Sequence, residues 1–165
     1  MVEPDAGRDD EAVVVEIDEL TYARHARRLT GLASALVGPS AAEDVVSAAV
    51  LRAMSSPGWP TVVDRGAYLT RAVVNEARSS YRSALRREAR EQRAAPRLRA
   101  AEGADPVPEV LAALAHLPIR QRAAVFLTYW ADMTPTAVAD HLGIGEGSVR
   151  KHLARARATL RKELT

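Results

Sequence analysis

The stretch Thr134-Pro-Thr-Ala-Val-Ala-Asp-His-Leu-Gly-Ile-Gly-Glu-Gly-Ser-Val149 leaves this chain little choice of local fold. Thr134 offers a hydroxyl cap and Pro135 a preset first helical position, so a helix starts there. Gly143 falls where that helix must turn, in the backbone region with positive φ that costs only glycine little. Ala139 is small enough for two helices to cross closely, and Val149 folds a second helix back onto the first. Val138, Leu142, Ile144 and Leu153 then fill the core of a helix-turn-helix. The exposed positions of the second helix are expected to be Ser148, Arg150, Lys151, Arg155 and Arg157. A basic helix beginning near Gly145 suits the major groove of DNA, its first turn meeting base edges and its later arginines phosphate. A helix-turn-helix used only for protein contacts would not need so uniformly basic a face.

The rest of the chain is also helical in pattern. Tyr22, Ala26, Leu29, Ala33 and Leu36 recur at steps of three and four until Gly38-Pro39 stops them. Ser40 and Glu43 have the spacing of a capping box, which predicts that the next helix opens at Ser40 and buries Val46, Val50, Ala53 and Met54. Ser55-Ser-Pro-Gly-Trp-Pro60 breaks that helix. From about Arg65 a long helix carries Leu69, Val73, Ala77, Tyr81 and Leu85 and runs out into an arginine block. Between about Arg93 and Pro108 the apolar period is lost among Pro96, Gly103, Pro106 and charges, the pattern of a linker. Helices resume over about 110–117, 119–130, 135–142 and 146–163, with no period-two strand pattern anywhere. The expected fold is all-α, two small helical domains joined by a flexible linker.

Composition supports this and excludes several functions. Apolar residues make up 47% of the chain and aromatics only 4%, so the cores must be mainly Ala, Leu and Val, a mixture that favours helix over sheet. With no cysteine, disulfides and thiolate metal sites are excluded and a cytoplasmic setting is expected. No apolar run reaches the ~18 residues of a membrane span, and the first residues do not form a signal peptide, so no membrane insertion is expected. His25, His116, His141 and His152 lack the tight spacing of metal ligands, and no nucleophile–base pair or glycine-rich phosphate loop is present. No catalysis, metal or cofactor is expected. The net charge of +2 hides an asymmetry. Residues 1–20 are acidic, whereas 71–100 hold nine arginines against three glutamates and 147–165 hold six bases against Glu163. Two basic blocks in a nearly neutral chain suggest two places that meet a polyanion.

Several segments, in order, resemble the bacterial extracytoplasmic-function (ECF) sigma factors, the two-domain initiation subunits of RNA polymerase. Ala42-Glu-Asp-Val-Val46 is similar to the start of the polymerase-binding helix of sigma region 2. Ala67-Tyr-Leu-Thr-Arg-Ala-Val-Val-Asn-Glu-Ala-Arg78 resembles the helix that melts and reads the −10 element. Leu117-Pro-Ile-Arg-Gln-Arg-Ala-Ala-Val-Phe-Leu127 resembles the opening of sigma region 4, and Gly147-Ser-Val-Arg-Lys-His-Leu-Ala-Arg-Ala-Arg157 its recognition helix. The resemblance implies an acidic disordered tail over 1–16, region 2 over 17–92, a linker over 93–107 and region 4 over 108–165.

It also implies roles. Glu43, Asp44 and Ser47 would bind the clamp formed by the largest subunits of core polymerase; Ser47-Ala48 stands where the family usually has Gln-Glu. Asn75 and Arg71 would meet separated −10 bases, an amide being able both to donate to and to accept from a base edge. Arg78, Arg82, Arg86 and Arg87 would hold phosphates there. Ser148, Arg150, Lys151, Arg155 and Arg157 would read and hold the −35 duplex. Thr128 stands where some members have an arginine for phosphate, and Gly145 where serine or proline is common. Partners would be core polymerase, promoter DNA in double- and single-stranded form, and an anti-sigma factor. Trp59, in the loop before the −10 helix, is left open between base stacking and core packing, whereas Trp130, beside an apolar stripe, is expected in the core. The alternative function is a one-component transcription regulator acting without polymerase, which would call for a dimerisation or ligand-sensing unit that the first half does not display.

Overall fold

The computed structural model describes residues 6–92 and 108–163, with side chains over 19–87 and 112–163. Seven α-helices follow in order: α1 (Ala6–Val37), α2 (Pro39–Met54), α3 (Arg65–Gln92), α4 (Pro108–Ala115), α5 (Ile119–Tyr129), α6 (Pro135–Leu142) and α7 (Glu146–Glu163). A single 3-10 turn, Trp59–Thr61, lies between α2 and α3. The described residues are thus all-α, in two helical clusters.

In the first cluster, α1, α2 and α3 pack around Leu29, Leu32, Leu36, Val45, Val46, Trp59, Leu69, Val73 and Ala77. Alanines at 33, 42, 49 and 53 let the helix axes come close, as the Ala-rich, aromatic-poor composition requires. The second cluster is the helix-turn-helix with α5 behind it, built on Ala124, Leu127, Val138, Ala139, Val149 and Leu153. The expected small core is therefore present, with Leu142 and Ile144 partly buried at its edge.

Several local expectations are met and others corrected. Thr134 caps α6, its hydroxyl accepting from the Ala137 amide at 3.2 Å, with Pro135 next. Gly143 ends α6 at φ 62°, ψ 41°, the left-handed conformation the turn needs. The Ser40–Glu43 capping box is not used. Pro39 opens α2 instead, after Gly38 at φ 88°, and no side chain caps the helix. One glycine is the whole link between α1 and α2, so the proline must enter the helix at once, where its missing N–H costs nothing. Helix α1 begins at Ala6, inside the segment read as an acidic tail over 1–16, where after Pro4 no proline and only Gly7 interrupt the sequence as far as Glu16. Residues 1–5 of that tail and the linker residues 93–107 lie outside the described residues. Tyr81 and Leu85 continue the apolar stripe of α3 but are each 45% exposed, because α3 extends beyond the body that covers its first half.

The two clusters touch. Ile119 and Ala123 of α5 belong to the core of the first cluster, while Ala124 and Leu127 face the second. Phe126 packs against both, and its ring fits over Gly31, where an added Cβ would stand 3.2 Å from Cζ.

Candidate nucleic-acid interface

Helix α7 has one buried stripe, Val149, Leu153 and Ala156, which holds it on α5 and α6. The sequence between those residues must then face outward, and Ser148, Arg150, Lys151, Arg155 and Arg157 are all exposed. The helix starts directly after Gly145, whose carbonyl accepts from the amides of Ser148 and Val149 at 2.8 and 3.2 Å. Two of the arginines are already oriented by neighbours. Arg150 pairs with Glu146 one turn back, and the same carboxylate accepts from the Thr136 hydroxyl at 3.2 Å. Arg157 donates from Nε and Nη2 to the Tyr129 hydroxyl at 3.0 and 2.5 Å, with its guanidinium 5.9 Å from the ring centre. A planar cation held over an aromatic ring loses less freedom when it meets a phosphate.

Helix α3 presents the second basic face. Asp64 caps it by accepting from the Ala67 amide at 2.8 Å, and the Thr70 hydroxyl turns back to the Gly66 carbonyl at 2.8 Å, so a polar side chain is buried without cost. Leu69, Val73, Val74 and Ala77 point inward, which leaves Asn75 exposed and Arg71 half-buried beside it. These two border a groove shared with Ala49, Arg52, Ala53, Tyr68 and Ala72. Arg52 of α2 closes its edge by pairing with Glu76. Arg78 is half-buried, and burial first, then the charges of Arg120 and Arg82, lowers its pKa from the ordinary arginine value. Cations crowded in this way are stabilised when an anion is brought to them. Arg82 leans back to the Arg78 carbonyl at 3.4 Å, and Arg82, Arg86 and Arg87 are exposed along the projecting part of the helix. On α2, Glu43, Asp44 and Ser47 are exposed on the side away from the buried Ala42, Val45, Val46 and Ala49.

Each residue assigned a polymerase or DNA contact by the resemblance thus lies on the surface or half-buried, on three separate helices. The −10 candidates share α3, the −35 candidates share α7, and the acidic group is alone on α2. The two tryptophans are resolved by packing. Trp59 is 2% exposed, edge-on to Tyr68 with 5.9 Å between ring centres and with Arg65 at 5.0 Å over its face, so it belongs to the core. Trp130 is 79% exposed and stacks on Phe126, contrary to the expected core position, because α5 ends at Tyr129 and the chain turns outward there.

The sequence reading missed Arg122. It is 8% exposed, and each of its three nitrogens donates to a backbone carbonyl: Nε to Leu117 at 2.8 Å, Nη1 to Leu36 at 2.6 Å and Nη2 to Ala115 at 3.1 Å. Its spacing from Ile119 and Phe126 puts it on the apolar face of α5, and that was the available signal. Among the described residues no group of three or more His, Asp or Glu could hold a metal, and no helix is long and apolar enough to cross a membrane.

Comparison with known proteins agrees with this arrangement. Residues 21–88 match the family "Sigma-70 region 2" and residues 108–160 match "Sigma-70, region 4". The chain is 28% identical over 156 residues to the RNA polymerase sigma-E factor of Streptomyces coelicolor, covering 92% of this chain and 87% of that one. It is 27% identical over 157 residues to the RNA polymerase sigma-E factor of Streptomyces antibioticus, covering 92% and 86%. The fold is similar to that of the sigma factor RpoE of Bartonella quintana, solved in complex with the anti-sigma factor NepR, with a TM-score of 0.62, 20% identity and 88% and 95% of the two chains covered. The chain belongs to the sigma-70 family as an ECF-type sigma factor, a subunit that is not itself catalytic and that directs RNA polymerase to promoters.

Proposed function

We propose that this chain holds a promoter at two points, with α7 on the −35 duplex and α3 on the separated −10 strand, while α2 docks on the clamp of core polymerase. The observation that carries this reading is the outward face of α7, where Ser148, Arg150, Lys151 and Arg155 stand exposed over a buried Val149–Leu153–Ala156 stripe. Ser148, Arg150 and Lys151 fall in the first turns and read base edges; Arg155 and Arg157 hold phosphate. Arg150 can engage a guanine through two parallel hydrogen bonds once it exchanges the Glu146 carboxylate for the base. On α3, Asn75 and Arg71 receive a base that has left the stack, and Arg78, Arg82, Arg86 and Arg87 neutralise the strand that carries it. Binding energy for the single strand is thereby used to open the duplex.

Glu43, Asp44 and Ser47 form the polymerase contact. This site is separate from both DNA faces, so a holoenzyme can bind promoter without competition between them. The protein works in the cytoplasm, with polymerase and the chromosome, and an anti-sigma factor is its expected antagonist. Purified chain added to core polymerase is expected to start transcription at a subset of promoters in a run-off assay with mapped start sites. Equal transcription of those promoters by core alone would overturn the reading. Arg150→Ala is expected to weaken −35 binding by about 5–150-fold, equivalent to one lost base contact of about 1–3 kcal/mol, while core polymerase is still co-purified in full. Loss of core binding in that variant would mean that α7 serves polymerase and not DNA.

A further inference from the structure

Helix α7 opens on a carboxylate, which has the wrong sign for a face that meets DNA. Two acids lie on this helix. Glu163, at its far end, pairs with His116 at 3.1 Å. Glu146 stands at its first position, directly after Gly145 and among the outward cations of the opening turns. The helix dipole favours an acid there whichever way the side chain points. In this structure it points one way, because both of its oxygens are engaged. Oε1 accepts from Nη2 of Arg150, four residues on, and Oε2 accepts from the Thr136 hydroxyl of α6 at 3.2 Å. The carboxylate therefore joins the two helices of the helix-turn-helix and lies on the face that carries Arg150. Its side chain keeps 38% exposure, so a groove edge can still reach it.

The two charges of this pair cannot meet DNA independently. When Arg150 turns to a guanine it gives up its bond to Oε1. A carboxylate with one oxygen left without a donor then faces the groove of a polyanion, and an ionised group in that position is costly unless a new hydrogen bond is made. Thr136 still holds Oε2, so the side chain is kept at the groove and does not swing away into water. The donor that replaces Arg150 must come from the base edges.

In the major groove those donors are the exocyclic amines, N4 of cytosine and N6 of adenine. Guanine shows O6 and N7 and thymine shows O4, all of them acceptors. An ionised carboxylate only accepts, so it attracts the first two bases and repels the others. Cytosine suits it best, because adenine sets the acceptor N7 beside its amine. Glu146 precedes Arg150 by four residues, or about 6 Å along the helix axis. At about 3.4 Å per base step, the edge it meets is one or two pairs from the guanine that Arg150 reads.

We propose that Glu146 is a specificity-determining residue of −35 reading, which selects cytosine one or two pairs from the guanine of Arg150, and that Thr136 is the positioning residue that aims it. This role rests on the −35 reading proposed above for α7. Glu146 weakens attraction to every duplex, since it repels phosphate, and offsets that loss at one kind of sequence. It acts by a penalty on wrong partners more than by a gain on the right one.

The test uses holoenzyme formed from the full chain and core polymerase, titrated onto a promoter mapped by run-off transcription. Each −35 base pair of that promoter is replaced in turn by the other three. At one position the wild type is expected to lose about tenfold in affinity when cytosine is changed to guanine or thymine. Glu146→Gln keeps the size of the side chain but lets it donate as well as accept. It is expected to lose the cytosine preference and favour adenine at that position, since an amide pairs with N6 and N7 together. Its affinity for the best sequence is expected to be equal or higher, because a negative charge has left the phosphates. Arg150→Ala is expected to relax a different position. Thr136→Val is expected to weaken the preference at the Glu146 position and Thr136→Ser to restore it, a pattern that a change in stability alone does not give. Full co-purification with core polymerase shows that each variant is folded. Unchanged preference at every position in Glu146→Gln overturns the proposal. A change confined to the position relaxed by Arg150→Ala overturns it too, since Glu146 would then act only through Arg150. If Arg150→Ala also leaves every preference unchanged, the −35 reading of α7 itself fails, an outcome distinct from failure of Glu146 alone.

Discussion

At the scale of the residue, Arg122 shows how a charge can be kept inside an apolar contact. Burial lowers its pKa from the ordinary arginine value and the nearby Tyr81 raises it, while three carbonyls take its donors. Replacing it by alanine leaves those carbonyls unpaired and opens a gap, so Arg122→Ala is expected to cost about 3 kcal/mol in urea unfolding. Two histidines act on stability in the opposite electrostatic sense. Burial, then Arg28 and Arg24 with a smaller contribution from His141, lowers the pKa of His25 against an opposing pull from Asp64. Burial, then Arg120 and Arg155, lowers that of His152. The unfolded chain therefore takes up protons on these residues at a higher pH than the fold does. Stability is expected to fall as pH drops through about 6.5, the ordinary histidine value, and on towards the lowered folded values. The double variant His25→Gln/His152→Gln should flatten the dependence of the urea midpoint on pH between about 7.5 and about 5.5.

At the scale of the element, the turn between α6 and α7 sets the angle of α7. Gly143→Ala places a side chain at φ 62° and against Arg71, and is expected to cost about 1–2 kcal/mol of unfolding free energy, with weaker −35 binding measured in parallel. This turn was legible in the sequence because its chemistry is local: a hydroxyl, a proline and a glycine at fixed offsets. The seven helices were legible for a similar reason, since apolar residues at steps of three and four report which face is buried. Where the reading failed, the deciding fact was not local. Ser40 and Glu43 have capping-box spacing, but the single-residue link at Gly38 had already set the start of α2 at Pro39. Trp130 follows an apolar stripe, yet its side depends on where α5 stops. Trp59 could be assigned only when Tyr68 and Arg65 were seen around it. The surface placement of the candidate DNA residues was legible because the outward positions of a helix follow from the buried stripe beside them. Arg122 was missed because its ligands are carbonyls from three different segments, and no spacing in the sequence encodes that meeting.

At the scale of the whole molecule, the proposed promoter grip rests on charge spread over two helices, α3 and α7. Affinity for duplex DNA is expected to fall linearly in log–log terms with salt, and Arg155→Ala should lower that slope by about one without changing base preference, as measured by titration across a salt series. The sharing of α5 between the two clusters has a thermal consequence. Ile119 and Ala123 are dry only while the clusters touch, so parting them wets apolar surface and carries a positive heat-capacity change. The free energy of parting is then curved in temperature, with a maximum from which it declines on both sides. The contact between the clusters weakens on cooling as well as on heating.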